Sequence, residues 1–199
     1  MEVVLPNRWR PRPYQQRLWN YLEAGGKRAV GVWHRRAGKD EVCLHWAACA
    51  AMQRVGNYWH MLPEASQARK AVWDAVNPHT GLRRTAEAFP PSILVGQRDD
   101  DMRLTLINGS TWQLVGADRF DALVGSPPIG LTFSEFSLTN PAAWDYLRPI
   151  PAENGGWSIF MMTPRGRNHA WKLYEMARSN PDWFEELVRT LDRLKGQGS

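Results

Sequence analysis

Lys39, Asp40, Glu135 and Thr163 are the residues of this sequence whose types and surroundings suit chemistry on a phosphate group. The first two lie in the stretch AVGVWHRRAGKDEV, Ala29 to Val42, where a Gly-Lys pair joins an apolar run to the start of an Ala-rich segment. In a phosphate-binding loop, backbone N–H groups and a helix N-terminus point at anionic oxygens. Gly38 lets the backbone approach closely, and Lys39 reaches the terminal phosphates. The strict pattern G-x-x-x-x-G-K-[ST] is absent. Trp33 stands where the first glycine is expected, Gly31 comes two residues too early, and Asp40 takes the place of the hydroxyl. Mg2+ accepts a carboxylate as readily as a hydroxyl, directly or through water, so Asp40 keeps the metal position open. The added negative charge beside the phosphates needs a cation, and Arg35 and Arg36 are placed to supply it. The candidate nucleotide loop is therefore His34, Arg35, Arg36, Ala37, Gly38, Lys39 and Asp40.

A lone Gly-Lys pair occurs by chance, so the other motifs decide its weight. A nucleotide hydrolase needs an acid at a strand end near the loop, to orient and deprotonate the attacking water, and a second acid often holds the metal. The run IGLTFSEF offers Glu135 as that base. Ser134 stands before it, where Asp is usual, and is assigned a metal contact through water. Asp40, Ser134 and Glu135 thus make the candidate Mg2+ set. In MMTPRGRN, a Thr-Pro turn after another apolar run can bring the Thr163 hydroxyl near a γ-phosphate. Gly166 between Arg165 and Arg167 makes that turn basic, which suits a sensor coupled to a DNA-contacting surface. Upstream, RPRPYQQRLW holds Tyr14, Gln15 and Gln16. An amide donates and accepts at once, so either glutamine suits an adenine edge, and Tyr14 suits stacking on the base.

These residues need a scaffold of alternating strands and helices. Lys27 to Trp33, Asn57 to Leu62, Pro128 to Phe136 and Gly156 to Pro164 read as buried strands, bounded by turn residues and rich in apolar side chains. Lys39 to Val55 reads as a helix with acids in its first turn. Glu64 to Val76 and His169 to Ser179 read as further helices, and Asn140 to Ile150 as a helix or helical turn. Met102 to Ile107 and Ser110 to Val115 flank Asn108-Gly109, a strong hairpin signal. Asn77 to Pro91 is looser, and Trp183 to Leu191 fits either a helix or a strand. The alternation predicts an α/β fold, a three-layer P-loop NTPase of the ASCE type, with a mainly parallel sheet flanked by helices.

With 199 residues and 43% hydrophobic content, the chain suits one packed domain, residues 1–199 with a core of about 12–190. No apolar run is long enough for a bilayer, and the N-terminus has no signal-peptide core, so no membrane association is expected. Cys43 and Cys49 lie six apart in one predicted helix, without metal-ligand spacing. They read as buried free thiols in a reducing cytoplasm. The net charge of +5 biases the chain only modestly toward a polyanion. The eleven tryptophans read as core or interface anchors.

In this order and spacing, HRRAGKD, FSEF and TPRGRNHAW resemble the ATPase domain of the large terminase subunit of tailed bacteriophages. The segment VGADRFDALVGSPP resembles the stretch before the acidic strand in that family, with Asp118, Asp121 and Gly125 matching. The resemblance covers about Arg12 to Thr190. It implies an ATP-hydrolysing motor, dependent on ATP and Mg2+, that drives double-stranded DNA into a preformed capsid. It implies partners too: double-stranded DNA, the portal protein, a small terminase subunit, and further copies of the chain in a homo-oligomeric ring, usually a pentamer. The place of work would be the cytoplasm of an infected bacterial host, transiently at the procapsid portal. Lys39 is implied as the phosphate lysine, Glu135 as the base, Thr163 as the coupling residue, and Arg35 or Arg36 as a loop arginine near the γ-phosphate. Arg69, Arg98, Arg103 and Arg119 are candidates for an arginine acting on a neighbour's site. Full-length members carry a C-terminal nuclease domain with an acidic metal cluster. No such cluster is present here, so ATPase without nuclease activity is expected. Two other readings stay open: a helicase-like DNA translocase, and a nucleic-acid-binding module whose degenerate loop does not hydrolyse ATP.

Overall fold

The computed structural model describes residues 9–123, 125 and 127–189. They form an eight-stranded sheet. Its strands are β1 (Arg28–Trp33), β2 (Asn57–Leu62), β3 (Leu94–Arg98), β4 (Arg103–Leu106), β5 (Thr111–Gly116), β6 (Pro128–Ser134), β7 (Trp157–Met162) and β8 (Phe184–Val188). The spatial order is β3-β4-β5-β2-β6-β7-β1-β8. From β5 through β8 every pair is parallel, and β3 and β4 add an antiparallel margin. Parallel strands covered on both faces are apolar along their whole length. Ala29–Trp33, Tyr58–Leu62 and Ser158–Met162 are accordingly buried without interruption.

Helices cover both faces. On one side lie α1 (Gln16–Glu23), α2 (Lys39–Gln53), α3 (Ala65–Ala68) and α4 (Arg84–Ala88). On the other lie α5 (Ala142–Leu147), then α6 (Pro149–Glu153), and α7 (His169–Ser179). The two-residue period of β2 sorts its side chains between the cores. Tyr58 and Leu62 join the α2 side, and Trp59 and Met61 the α5–α7 side. Helix α2 is buried nearly all round, as its Ala-rich, Gly-free sequence permits. Trp33, Trp73 and Trp112 are buried core anchors as expected, and Trp112 packs between Trp73 and Phe89. Cys43 and Cys49 are free and buried, and burial pushes both thiols up, Cys49 to about 12. No helix among the described residues is long and apolar enough to cross a membrane.

Several expectations change in detail. The predicted helix Glu64 to Val76 is α3 followed by a π-helical turn, Arg69–Trp73. The loose region contains α4. The hairpin forms as β4 and β5, with Gly109 at φ 88 in its turn. Strand β3 has no clear apolar alternation because it lies at the sheet margin, where its residues are exposed or half-buried. The ambiguous segment after Trp183 becomes β8, pairing with β1 in the register Gly31↔Glu186. That pairing buries the Glu186 side chain to 6% exposure, 3.4 Å from Arg17. Burial pushes the Glu186 carboxyl up to about 7, against the pull of Arg17.

The folded form therefore holds a proton that the unfolded chain has lost. The contribution of Glu186 to stability falls as pH rises from the unfolded carboxyl range through about 7, and is level above it. Glu186→Gln removes this cost. It is expected to raise the melting temperature at pH 8, by a stabilisation of about 3 kcal/mol at most, and to change little at pH 5. Melting curves at both pH values test it, and an equal loss at both would refute it.

Candidate nucleotide site

The loop begins where β1 ends. The His34 amide donates to Val188 O of β8 at 3.1 Å, so the chain leaves the sheet still tied to its neighbour. Arg36 at φ 62 and Gly38 at φ 69 then turn the backbone through the left-handed region into α2. A Cβ at Gly38 would lie 2.8 Å from each of Arg12 Nη1, Gln15 Nε2 and Glu41 Oε2, side-chain ends that would have to shift, and the positive φ is what calls for glycine. No side chain caps α2 at Gly38, which leaves the first N–H groups of a 15-residue helix for an anion.

Lys39 is buried to 6% exposure. Its Nζ lies 3.0 Å from Thr163 Oγ1, 3.4 Å from Glu135 Oε1 and 3.4 Å from His34 O. The Thr163 hydroxyl donates to Glu135 Oε1 at 3.3 Å. The sheet order explains how residues so distant in sequence meet. β7 lies between β6 and β1, all three parallel. Their C-terminal ends therefore present Glu135, Thr163 and the loop side by side, at the edge where α/β sheets take ligands. Glu135 sits at φ 53, ψ 43, a left-handed conformation that costs a non-glycine residue on the order of 1 kcal/mol. Strain of this kind persists where the surrounding structure enforces it, and here it accompanies a carboxylate bonded to Lys39 and Thr163.

Asp40 is the loop's departure from the standard pattern. Its Oδ1 accepts from Ser134 Oγ at 2.5 Å and from His60 Nε2 at 3.2 Å. Burial pushes the Asp40 carboxyl up. The bond and charge of His60, the Ser134 hydroxyl and the Lys39 charge outweigh it, and the group stands at about 2. Two expectations are corrected here. Compensation for the Asp40 charge was assigned to Arg35 and Arg36, but His60, Ser134 and Lys39 supply it. Ser134 was expected to reach a metal through water, yet it is fully buried and donates to Asp40 instead.

The adenine expectation meets a similar correction. Gln15 is fully buried behind the loop. Its Nε2 donates to Ala37 O at 3.0 Å and Gly38 O at 3.3 Å, and its Oε1 accepts from the Arg12 amide at 2.9 Å. Both ends of the amide are occupied, so Gln15 braces the loop. The Tyr14 hydroxyl also donates to Ala37 O, and its ring stands edge-on to Trp33. Gln16 bonds Asn20 on the exposed side of α1.

A cavity of about 650 Å3 opens over the loop. Its lining includes Arg35 through Glu41, Glu135 and Arg165, together with Asn77, His79 and Arg84. Arg12, His60 and Arg84 are site residues that sequence reasoning missed. The one available signal was the imidazole inside the apolar run NYWHML. Among the described residues, no cluster of three or more His, Cys, Asp or Glu forms a protein-only metal cage. Mg2+ does not need one, since it takes one or two carboxylates, substrate phosphates and water. Asp40 and Glu135 on the cavity wall fit that pattern.

The candidate trans arginines lie away from this cavity. Arg69 donates to Asp99 O and Asp100 O, Arg98 pairs with Asp101, Arg103 lies on β4, and exposed Arg119 stands 4.0 Å from Asp118. The motif containing Asp118, Asp121 and Gly125 is described only in part, because Val124 and Ser126 lie outside the described residues.

A loop after β1, an acid after β6 and a strand inserted between them make this a three-layer α/β fold, a mostly parallel sheet flanked by helices, the fold that large terminase ATPase domains share. Its structural neighbours are large terminase ATPase domains. The chain is similar to the large terminase ATPase domain of Thermus phage P74-26, at 20% identity and TM-score 0.74, over 98% of this chain and 90% of that one. It is also similar to the large terminase from a second, thermophilic bacteriophage, at 17% identity and TM-score 0.74, over 94% of this chain. It spans 47% of that longer protein. A further structure of the same terminase, in complex with ATP-gamma-S, matches at 17% identity and TM-score 0.72, over 94% of this chain and 46% of that one. No protein-family model matches the sequence, and no curated protein matches it.

Proposed function

We propose that this chain is the ATP-hydrolysing motor domain of a viral large terminase subunit, driving double-stranded DNA into a preformed capsid. The observation that carries the reading is the meeting of Lys39, Glu135 and Thr163 at the ends of three adjacent parallel strands. The uncapped N-terminus of α2 would receive the phosphates, with Lys39 on the terminal ones. Asp40 and Glu135 would hold Mg2+, directly or through water, and the ion when bound offsets charge developing on the phosphates. Glu135 would take the proton of the attacking water, and Thr163 would report the state of the γ-phosphate along β7 to the basic turn Arg165–Arg167. Arg35, Arg36 and Arg165 line the cavity and have no ion pair among the described residues, so they are available to an anionic ligand. The fold shared with terminase ATPase domains supports this reading over a general nucleotide hydrolase.

The portal, a small terminase subunit and a ring of copies are the partners this reading brings with it, in the cytoplasm of an infected host. An arginine from the next subunit would complete each site. Phosphate release from Mg2+-ATP should therefore be slow for the dilute chain and rise more steeply than linearly with protein concentration. DNA binding should be weak and fall strongly with salt, because contacts would be to phosphates. A chain that neither binds nor hydrolyses ATP at any concentration would overturn the proposal.

A further inference from the structure

The imidazole of His60 has no place in the roles above, yet it is bonded to the loop residue that departs most from the standard pattern. His60 lies on β2, fully buried beneath the start of α2. Its Nε2 reaches Asp40 Oδ1 at 3.2 Å, and its Nδ1 is buried without a partner. The bond to Asp40 is thus its only hydrogen bond among the described residues.

The Asp40 carboxylate is held asymmetrically. Oδ1 accepts from both His60 and Ser134, while Oδ2 has no hydrogen bond among the described residues and is absent from the buried unpaired atoms. Since Asp40 lines the cavity, Oδ2 is the oxygen left open toward it. A hydroxyl at this position would need no such support. A carboxylate does, because it carries a full charge beside phosphates and can rotate either oxygen toward them. Two donors on one oxygen answer both problems: they stabilise the anion and aim the other oxygen.

We infer that His60 is a positioning residue for divalent-cation binding, acting with Ser134 through Asp40, and that the three replace the single hydroxyl of the standard phosphate loop. The inference rests on the nucleotide reading above. It treats the Asp at position 40 and the His on β2 as one functional unit drawn from two distant elements. Groups that orient a metal ligand from behind commonly contribute about 10–100-fold in metal affinity or activity.

The test is an equilibrium binding cycle with ATP-gamma-S, with and without Mg2+, on the whole chain and three variants: His60→Leu, Asp40→Ser and the double variant. The readout is the ratio of affinities with and without metal. It is measured within each protein, so a partly unfolded fraction cancels. His60→Leu is expected to lower that ratio about 10–100-fold. His60→Gln, which restores a donor, should recover part of it. In the Asp40→Ser background, where a hydroxyl returns, His60→Leu should have no effect on the ratio. Equal losses in both backgrounds would make His60 merely structural and overturn the inference. An unchanged ratio in His60→Leu would also overturn it, as would an unaltered chain whose affinity ignores Mg2+. An unaltered chain that binds no ATP-gamma-S under either condition would overturn the nucleotide reading itself.

Discussion

Lys39→Ala is expected to abolish detectable ATP hydrolysis and to weaken ATP binding severely. Lys39 is the cation at the centre of the site, only 6% exposed, with its Nζ within 3.4 Å of groups from β6, β7 and the loop. A single preorganised donor removed from such a site costs about 10²–10³-fold in turnover, and a full charge in a poorly solvated position should cost at least that much. The loss has a second part. Without the ammonium, Glu135 keeps only the Thr163 hydroxyl among the described residues, and the proposed base is no longer held against the loop. Lys39→Arg should not rescue, because a planar guanidinium does not fit the space of a buried ammonium and spreads its charge differently. Phosphate release and ATP-gamma-S binding, measured together, decide the matter. Near-normal binding and turnover in Lys39→Ala would show that the loop does not hold phosphate.

Glu135→Gln separates binding from chemistry. The change keeps shape and hydrogen-bonding reach but removes the proton acceptor. Turnover is expected to fall about 10²–10⁴-fold, as for loss of a general base, while nucleotide binding persists. The amide still accepts from Thr163, so the geometry of the three strand ends should survive. Turnover close to that of the unaltered chain would make Glu135 an ordinary acid after a strand, and the proton would have to leave by another route. On the proposed reading Lys39 and Glu135 act as a unit, so the double variant should be little worse than Lys39→Ala alone.

Much of this site is legible in the sequence. Gly38 and Lys39 after an apolar valine-rich run, Glu135 at the end of IGLTFSEF and Thr163 at the end of GWSIFMMT each stand at a strand terminus recognisable from local pattern. Buried parallel strands are continuous apolar runs, and such runs ending in a polar residue are visible without any partner. The exceptions share a cause. Strand β8 reads ambiguously because its residues become a strand only through pairing with β1, and Glu186 is buried only by that pairing. Strand β3 lies at the margin of the sheet and carries little apolar signal. Gln15 looks like a ligand-reading amide, but what an amide bonds depends on what is packed against it, and here that is the back of the loop.

By itself, then, the sequence determined which groups are on offer: a Gly-Lys pair followed by an aspartate, an acid, a hydroxyl and the strands to carry them. It could do so because local periodicity and turn residues act over a few positions. Only the tertiary structure decided who meets whom. The order β6-β7-β1 places Thr163 between Lys39 and Glu135, and the register of β2 against β6 places His60 and Ser134 on the same oxygen of Asp40. Sheet order and register are long-range choices, settled by which apolar faces can be buried together, and no local stretch of the chain carries them.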